Sequence, residues 1–309
     1  MILSCGEALI DMLPRQTAAG EPAFAPYSGG AVYNTAVALG RLGAPSGFFS
    51  GLSTDLFGQQ LVRDLAAAQV DTALAVRSAR NTTLAFVSLN NGKAEYAFFD
   101  EGTAGRMLDV ADLPELPDAV AALHFGAISL IPEPCGSAYE ALCLREAKTR
   151  VISFDPNIRP NFIPDKARHR ARMERMAAAA DIIKLSDEDL HWFAAGDFDT
   201  VAQRWLGQGA ALVIMTQGDH GAEARYAGGR IAVPAVKVSM VDTVGAGDTF
   251  NAGLLAALWR KGLLSKQALR RITPDALTAA LNYAAAAAAI TVSRAGANPP
   301  WLKEMPPLG

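Results

Sequence analysis

The sequence predicts an α/β fold with a mostly parallel central sheet. Short apolar runs alternate with segments of helical spacing, which is the pattern of strands connected by helices on the faces of a sheet. The predicted strands are residues 1–5, 48–51, 120–125, 151–154, 182–185 and 212–215. The predicted helices are residues 33–42, 58–68, 137–147, 166–180, 200–207 and 277–292. Because ligands bind beyond the carboxyl ends of parallel strands, the loops after these runs are the expected location of a site.

Two segments depart from this alternation and predict a small β-sheet at the edge of the central sheet. Residues 12–27 are rich in proline, glycine and small side chains, and residues 82–103 alternate polar and apolar around Asn90-Asn91-Gly92, a strong hairpin signal. Such a flap can cover a substrate and exclude water. The alternative is a hairpin that only protects the sheet edge. We expect one domain over residues 1–309, with these segments as its lid.

Composition and charge exclude several classes of partner. Half of the 309 residues are hydrophobic, which is enough for a large core. A net charge of −3 gives no sign of the basic surface that binds nucleic acid or an acidic membrane. No basic segment precedes Glu7 and Asp11, so no signal peptide is expected, and the longest apolar stretch, 283–292, is too short to span a bilayer. Three cysteines without metal-ligand spacing indicate reduced thiols. We therefore expect a cytoplasmic protein that binds neither nucleic acid nor membranes.

Residues 242–250, with the sequence DTVGAGDTF, predict an anion site with a base beside it. Apolar residues at helical spacing follow, and Gly262 stands where that helix would end. Glycines at 245 and 247 let N–H groups approach an anion closely, and the helix dipole adds partial positive charge. Asp248 lies in the same first turn, so its carboxylate is expected to be ionised at neutral pH and able to accept a proton from a hydroxyl group. The alternative explanation of the glycines is tight packing before a buried helix.

Two better-known phosphate-binding motifs are absent from the sequence. There is no GxxxxGK[ST], since Gly92-Lys93 is followed by Ala94, and Gly245-Ala246-Gly247 lacks the third glycine of GxGxxG. A P-loop nucleotide hydrolase and an ordinary dinucleotide-binding fold are therefore both disfavoured. The four histidines are scattered without metal-ligand spacing.

Polar residues earlier in the chain supply candidate partners for this site. Asp11 follows the first predicted strand and could hold two hydroxyl groups of a polyol. Gly29-Gly30 permits close approach of the backbone, and Asn34 offers both a hydrogen-bond donor and an acceptor. Residues 155–160, DPNIRP, directly follow a predicted strand, and their prolines would fix Arg159 at its carboxyl edge, where it could bind phosphate or substrate. Each signal is weak alone, but their joint order is not expected by chance.

Together these motifs resemble the ribokinase-like, or PfkB, family of ATP-dependent carbohydrate kinases, over residues 1–301. Residues 29–34 resemble the N-terminal signature of the family, and residues 242–248 resemble its highly specific C-terminal signature. Four further segments occur between them in the family order: 6–11, 155–157, 184–189 and 216–221. The resemblance implies a three-layer ribokinase-like fold with a β-sheet lid, ATP and Mg²⁺ as cofactors, and a small sugar as substrate.

The resemblance also implies roles for individual residues. Asp248 would take the proton of the sugar hydroxyl as it attacks the γ-phosphate, while N–H groups of Gly245, Ala246 and Gly247 stabilise the developing charge. The implied sugar contacts, including the lid, are Asp11, Gly29, Gly30, Asn34, Phe99, Glu101 and Arg159. The implied nucleotide contacts are Lys184, Ser186, Thr216, Gly218, Gly221 and Gly247. A monovalent cation, usually K⁺, is implied beside the anion site, at Asp242, Val244, Thr291, Arg294 and Gly296.

Some positions depart from the family pattern. Ser186 and Asp189 stand where many members have the Asn and Glu of a motif that helps to organise Mg²⁺, and the shorter Asp would act through water. Ala285 stands where relatives often have Asn or His near adenine, with Asn282 one helical turn earlier. No polar contact to adenine is therefore assigned, and the choice of nucleotide stays open.

Within the family, the motifs at 5–11, 155–159 and 243–248 are most similar to those of fructokinases, so fructose is the first choice of substrate. The main alternative is 2-keto-3-deoxygluconate, whose carboxylate is held in relatives by a Tyr and an Arg of the lid. The matching stretch here contains Asp100 and Glu101, which would repel a carboxylate and accept hydrogen bonds from neutral hydroxyls. Arg106 or Arg159 could still bind an acid.

Other possibilities stay open at this point. Adenosine and ribose are further candidate substrates. A non-catalytic sugar-binding regulatory protein with the same fold is the alternative of another class, since fold does not fix activity. An exposed edge of the lid sheet also predicts a homodimer formed through the lid.

Overall fold

The computed structural model describes residues 1–90, 93–193 and 197–309, and it has the predicted α/β architecture. The strands are β1 Ile2–Cys5, β2 Leu9–Gln16, β3 Pro22–Gly29, β4 Ser46–Phe49, β5 Gly51–Ser53, β6 Val70–Asp71, β7 Val76–Ser78, β8 Leu84–Asn90, β9 Lys93–Phe99, β10 Ala122–Gly126, β11 Val151–Asp155, β12 Ile182–Ser186, β13 Leu212–Thr216, β14 Ala222–Tyr226 and β15 Gly229–Val233. The helices are α1 Ala31–Arg41, α2 Leu56–Ala67, α3 Cys135–Glu146, α4 Lys166–Ala179, α5 Asp187–Trp192, α6 Phe198–Gln208, α7 Ala246–Arg260, α8 Lys266–Leu269 and α9 Pro274–Val292.

A nine-stranded sheet forms the centre of the described structure, in the order β15-β14-β13-β12-β11-β10-β1-β4-β6. All neighbours from β13 to β6 are parallel, whereas β14 and β15 form an antiparallel hairpin beside β13. The carboxyl ends of β1 and of β10 to β13 therefore meet at one edge, which is where a ligand is expected.

The predicted strand at 48–51 is divided between two sheets. Phe49 ends β4, and Gly51 begins β5, which pairs with β7 instead. A Cβ at Gly51 would lie 2.0 Å from the carbonyl oxygen of Ala104, so only glycine permits this crossing of the two segments.

Helices cover both faces of the central sheet. One face packs against α1, α7 and α9, with fully buried side chains such as Leu39 and Ala284. The other face packs against α3, α4 and α6, through residues such as Tyr139, Met173 and Trp205. The result is the three-layer arrangement that the alternating pattern predicts.

Helix α9 is a core helix. By length and composition alone it could cross a membrane, with a mean hydropathy of 1.3. Its buried alanines instead pack against α7, where a Cβ at Gly253 would lie 2.8 Å from Cα of Ala284. Small residues on both helices permit this close approach, which explains the alanine-rich sequence.

The small β-sheet predicted at the edge is present and has the order β3-β2-β8-β9. We call it the lid sheet. Asn91 and Gly92 of the predicted hairpin lie outside the described residues. Tyr27, Asp11, Ala85 and Phe98 are in register across the four strands and therefore share one face. Neighbours such as Phe99 face the opposite side.

The two helices that begin at the expected site lack the side-chain N-cap that most other described helices have. Most described helices begin with a side chain that accepts an N–H bond from the first turn, which stabilises a helix by roughly 0.5–2 kcal/mol; these caps are Asp55, Asp165, Ser186, Asp197, Ser265 and Thr273. Helices α1 and α7 instead follow Gly30 and Gly245, with φ of 109° and 75° and no side-chain cap. Their first N–H groups are left for other partners.

Candidate active site

The predicted anion site lies at the start of α7, beside the end of β12. A Cβ at Gly247 would lie 3.2 Å from Nζ of Lys184, so an ammonium group stands directly beside this helix start. In the described part of the chain, the N–H groups of Gly245, Gly247 and Asp248 donate to no backbone acceptor, whereas that of Ala246, also a predicted donor to the anion, donates to the Thr243 carbonyl oxygen at 3.3 Å. These free N–H groups, a helix dipole and an ammonium group together make an anion-binding site.

Asp248 is buried in the first turn of α7. Its Oδ2 accepts a hydrogen bond of 2.9 Å from Nδ2 of Asn34, which lies in α1. Burial raises the pKa of the Asp248 carboxyl to about 7. The carboxylate is therefore only partly ionised at neutral pH, unlike the sequence expectation, because lost hydration outweighs the stabilisation by Asn34 and Lys184. A pKa near the working pH is, however, well suited to a group that must take a proton.

Lys184 and Asp155 form a buried ion pair next to this helix start. Nζ of Lys184 lies 3.0 Å from Oδ2 of Asp155, and Nδ2 of Asn251 donates to the same oxygen at 2.7 Å. Burial alone would lower the pKa of Lys184, but the negative charges of Asp155 and Asp189 outweigh it and raise the pKa. The ammonium group is therefore charged when it meets an anion. Asn251 was not predicted, although a polar side chain three residues after Asp248 in an apolar helix was a usable signal.

A divalent cation fits the other oxygen of Asp155. Oδ1 is buried and has no hydrogen-bond partner among the described residues, and carboxylate oxygens are the ligands that Mg²⁺ prefers. Asp189 is less available, because its two oxygens accept bonds from the N–H groups of Ile158 at 2.6 Å and Ser186 at 2.8 Å. Nowhere in the described ranges do three or more candidate metal-binding side chains cluster. Phosphate oxygens would therefore have to complete the coordination of a cation here.

Three of the predicted sugar contacts converge at the base of the lid sheet. A Cβ at Gly29 would lie 2.2 Å from Oδ2 of Asp11, so the carboxylate rests against this glycine. Gly30 has a φ of 109°, and a Cβ there would lie 2.9 Å from the carbonyl oxygen of Glu7. The backbone contact and the positive φ require glycine at position 30, whereas a side chain at position 29 would displace the Asp11 carboxylate. Burial raises the pKa of Asp11 to about 6.

Glu7 holds this glycine loop in place. Its Oε1 accepts the N–H of Ala31 at 2.7 Å, and its Oε2 accepts that of Ser129 at 3.3 Å. The Glu7 carboxylate thus replaces the missing cap of α1 and connects it to the turn after β10. Sequence reasoning missed this role because Glu7 lies 24 residues before Ala31.

A cavity of about 280 Å³ lies between the lid sheet and the carboxyl edge of the central sheet. Phe98 and Phe162 form one wall, with ring centroids 4.8 Å apart. The predicted contact Phe99 is 60% exposed and packs against Phe86 on the other face of the lid sheet. Because side chains alternate along a strand, Phe98 lines the cavity in place of Phe99.

None of the predicted sugar contacts lines this cavity, and two of them are exposed to solvent. Glu101 is exposed in the turn after β9. Arg159 is also exposed, and its guanidinium donates to the carbonyl oxygen of Ile158 at 3.0 Å. The charged residues that do line the cavity are Glu7, Asp100 and Arg106.

The predicted nucleotide contacts lie along one edge of the central sheet. Ser186 and Thr216 are in register at the ends of β12 and β13, two positions beyond Lys184. Gly218 lies in an exposed turn with a φ of 55°. Gly221 is buried, and a Cβ there would lie 2.1 Å from the carbonyl oxygen of Val233. Packing of the hairpin therefore explains Gly221 without a ligand.

Three of the five predicted cation residues are brought together. Oδ1 of Asp242 accepts the N–H of Val244 at 3.1 Å, and Oδ2 accepts that of Gly296 at 2.8 Å. The hydroxyl of Thr291 lies 3.0 Å from that of Thr249, and Arg294 is paired with Glu304. The Arg294 side chain would repel a cation, so that residue could contribute only its main-chain carbonyl oxygen.

Known proteins are similar to this chain in sequence and in fold. A model described as pfkB family carbohydrate kinase matches residues 1–304. The chain is 57% identical over 278 residues to a protein named fructokinase from Rhizobium leguminosarum bv. trifolii, which covers 90% of this chain and 85% of that protein. Its fold is similar to that of fructokinase with bound ATP from Xylella fastidiosa, with a TM-score of 0.88, 31% identity, and coverage of 99% and 94% of the two chains. It is also similar to fructokinase from Vibrio cholerae O395 in its fructose-, ADP- and calcium-bound form, with a TM-score of 0.81, 25% identity, and coverage of 96% and 94%.

Proposed function

The chain belongs to the PfkB family of carbohydrate kinases, and from that premise we propose that it transfers the γ-phosphate of ATP to fructose. The observation that carries this proposal is the placement of Asp248, buried at an uncapped helix start beside Lys184 and bonded to Asn34. Fructose as acceptor and ATP as donor are supported by the relatives, one of which is named fructokinase at 57% identity and another of which holds ATP.

In the proposed reaction, Asp248 takes the proton of the sugar hydroxyl as the hydroxyl oxygen attacks the γ-phosphate. Asn34 holds Oδ2 of Asp248, which leaves Oδ1 for the hydroxyl. Negative charge grows on the transferred group, and the N–H groups of Gly247 and Asp248 together with Lys184 stabilise it. Mg²⁺ bound through Oδ1 of Asp155 and the phosphates would supply further neutralisation of charge. Asp11, Gly29 and Gly30 bind the sugar.

We place the nucleotide across the ends of β12 and β13, at Lys184, Ser186 and Thr216, and along the turn at Gly218. The segment that connects β15 to α7 exposes apolar side chains, including Val238 at 42% and Met240 at 72%. Exposed apolar groups of this kind mark binding surfaces, and a flat base would cover them.

The proposed function is tested by release of ADP in a coupled assay over five acceptors. These are fructose, 2-keto-3-deoxygluconate, ribose, adenosine and fructose 6-phosphate. Turnover of fructose with the highest kcat/KM is the expected result. Preference for another acceptor would reassign the substrate within the family, and activity on none of them would favour a non-catalytic sugar-binding protein.

We predict that K⁺ activates the enzyme more than Na⁺ does at equal ionic strength. Asp242, Val244 and Gly296 converge beside the start of α7, where an ordered loop would hold the anion site in shape. Asp242→Ala should remove the difference between the two salts, measured as initial rates in KCl and NaCl. Asp118→Ala, at an exposed position, removes the same charge and should keep the difference. Equal rates of the parent protein in both salts would rule out the cation site.

We propose that two copies of the chain pair through the outer face of the lid sheet. Phe86 packs edge to face against Phe24 and Phe99, with ring centroids 5.0 and 5.4 Å away, and Phe24 and Phe99 are 48% and 60% exposed. Exposed aromatic clusters of this kind mark protein interfaces. Phe99→Asp should shift the sedimentation coefficient from dimer to monomer, whereas Leu144→Asp, at another exposed apolar position, should not. A parent protein that sediments as a monomer at micromolar concentration would exclude this dimer.

We also propose a cytoplasmic location. Cys5, Cys135 and Cys143 are buried and form no disulfide in the described structure. Burial raises the pKa of the Cys135 and Cys143 thiols to about 12, so they are unreactive. This is the state that a reducing compartment maintains.

A further inference from the structure

The cavity beneath the lid sheet contains one ion pair whose role is not explained by phosphoryl transfer. Nη1 of Arg106 lies 2.9 Å from Oδ1 of Asp100, and both side chains line the cavity. Their side chains are 32% and 29% exposed, so they lie at its rim rather than in the core. A partly exposed pair of this kind contributes little to folding, which leaves open a role in recognition.

The position of the cavity indicates which part of a substrate it would receive. Its floor includes Glu7, which accepts the N–H of Ala31 at the start of α1, and one turn later Asn34 donates to Asp248. Asp248 itself does not line the cavity. The cavity is therefore connected to the sugar-binding loop through Glu7, which also contacts Gly30, and it would hold the end of the sugar farthest from the reacting hydroxyl.

Each charged side chain that lines the cavity already has a partner within the protein. Arg106 is the one cation among the described lining residues, and Asp100 neutralises it. Glu7 is engaged by the N–H groups of Ala31 and Ser129. Glu133, which lies behind Arg106, is paired with Arg168 and Arg172 instead. An incoming carboxylate would thus meet no free cation, whereas neutral hydroxyls could donate to Asp100.

We propose that the Asp100–Arg106 pair sets the charge selectivity of this kinase, so that neutral sugars are accepted and sugar acids are refused. The inference rests on the proposed function, because it assigns the cavity to the distal end of the phosphorylated sugar. It also revises the expectation that acidic residues of the lid repel an acid directly. Asp100 forms an ion pair with Arg106 and so prevents this guanidinium from binding the carboxylate of a substrate.

Arg106 would stay in place without Asp100. Its Nε donates to the carbonyl oxygen of Glu133 at 3.5 Å, a contact that does not depend on Asp100. Replacement of Asp100 by asparagine would leave the Arg106 guanidinium without a counter-charge at the rim, since an amide oxygen can accept an N–H bond but carries no charge. A bond from such a group to a carboxylate changes affinity by about 10- to 100-fold.

The test compares Asp100→Asn with the parent protein. The ratio of kcat/KM for 2-keto-3-deoxygluconate to that for fructose should rise about 10- to 100-fold. The double variant Asp100→Asn/Arg106→Met should lose this gain, since the receptor is gone. Glu115→Gln removes the same charge from an exposed residue outside the cavity and should leave the ratio unchanged. Thermal melting of each variant checks that it is folded, and Asp100→Ser serves if the asparagine variant is not.

A binding measurement separates this inference from the proposed function. Calorimetric titration with gluconate and with glucitol, without nucleotide, reports charge selectivity even if the parent protein does not phosphorylate fructose. Tighter binding of gluconate to Asp100→Asn, with glucitol nearly unchanged, is the expected result. An unchanged ratio and unchanged gluconate affinity in both Asp100 variants would overturn the inference, as would an equal gain in the double variant.

Discussion

Asp248→Asn is expected to lower kcat by about 10²–10⁴-fold, the range for a positioned base, while ATP still binds. The carboxylate is buried at the start of α7 and is the titratable group that Asn34 holds in place. Asparagine keeps the shape and can still accept the bond from Asn34, so the loss reports proton transfer rather than collapse of the site. Initial rates under saturating fructose and ATP, together with calorimetric titration of ATP, make the measurement. Turnover near that of the parent protein would refute the role of Asp248.

The pH dependence provides a second readout of the same residue. Burial raises the pKa of Asp248 from 3.8 to about 7, so kcat/KM of the parent protein should rise as pH increases through about 7. The folded state keeps a proton that the unfolded chain has already released, so this group makes the protein less stable as pH rises from about 4 to 7. Asp248→Asn should therefore be more stable than the parent at pH 8, by an amount on the order of a few kcal/mol. Below about pH 4 the difference should disappear, and equal melting temperatures at pH 8 would contradict the raised pKa.

Much of the fold could be predicted because buried parallel strands are continuous apolar runs. Residues 151–154 and 212–215 became β11 and β13 with one residue added at the end. The hairpin of β14 and β15 was not predicted, although Gly228-Gly229 is a turn signal. Its strands carry charged residues such as Glu223 and Arg225, which break the apolar run that marks a central strand.

Part of the site could be predicted because motifs in a fixed order converge at the carboxyl edge of the sheet. Asn34 and Asp248 are separated by 214 residues and are hydrogen-bonded in the structure. The lid contact could not be assigned, since a shift of one residue along a strand turns every side chain to the other face. Phe98 rather than Phe99 faces the cavity for this reason. The pKa of Asp248 was also beyond sequence reasoning, because its burial is set by elements distant in the chain.

Lys184→Met is expected to destabilise the protein by about 3–5 kcal/mol, because it leaves Asp155 buried without its charged partner. The two side chains lie 3.0 Å apart and are only 6% and 4% exposed. The same substitution removes the ammonium group beside Gly247, so kcat should also fall by about 10²-fold, the effect of losing one preorganised charge-stabilising donor. Urea denaturation at pH 7.5 and steady-state rates at saturating ATP measure the two effects.

A double variant separates the electrostatic cost from the loss of packing. Asp155→Asn in the background of Lys184→Met removes the stranded charge and should recover most of the lost stability, because the two residues form one interacting pair. Activity should not recover with it, since the ammonium group is still missing and the second substitution also removes the Asp155 carboxylate. Recovery of both properties together would mean that Lys184 serves only the scaffold. Loss of activity without loss of stability in Lys184→Met would mean instead that the buried pair contributes little to folding and that Lys184 serves mainly the reaction.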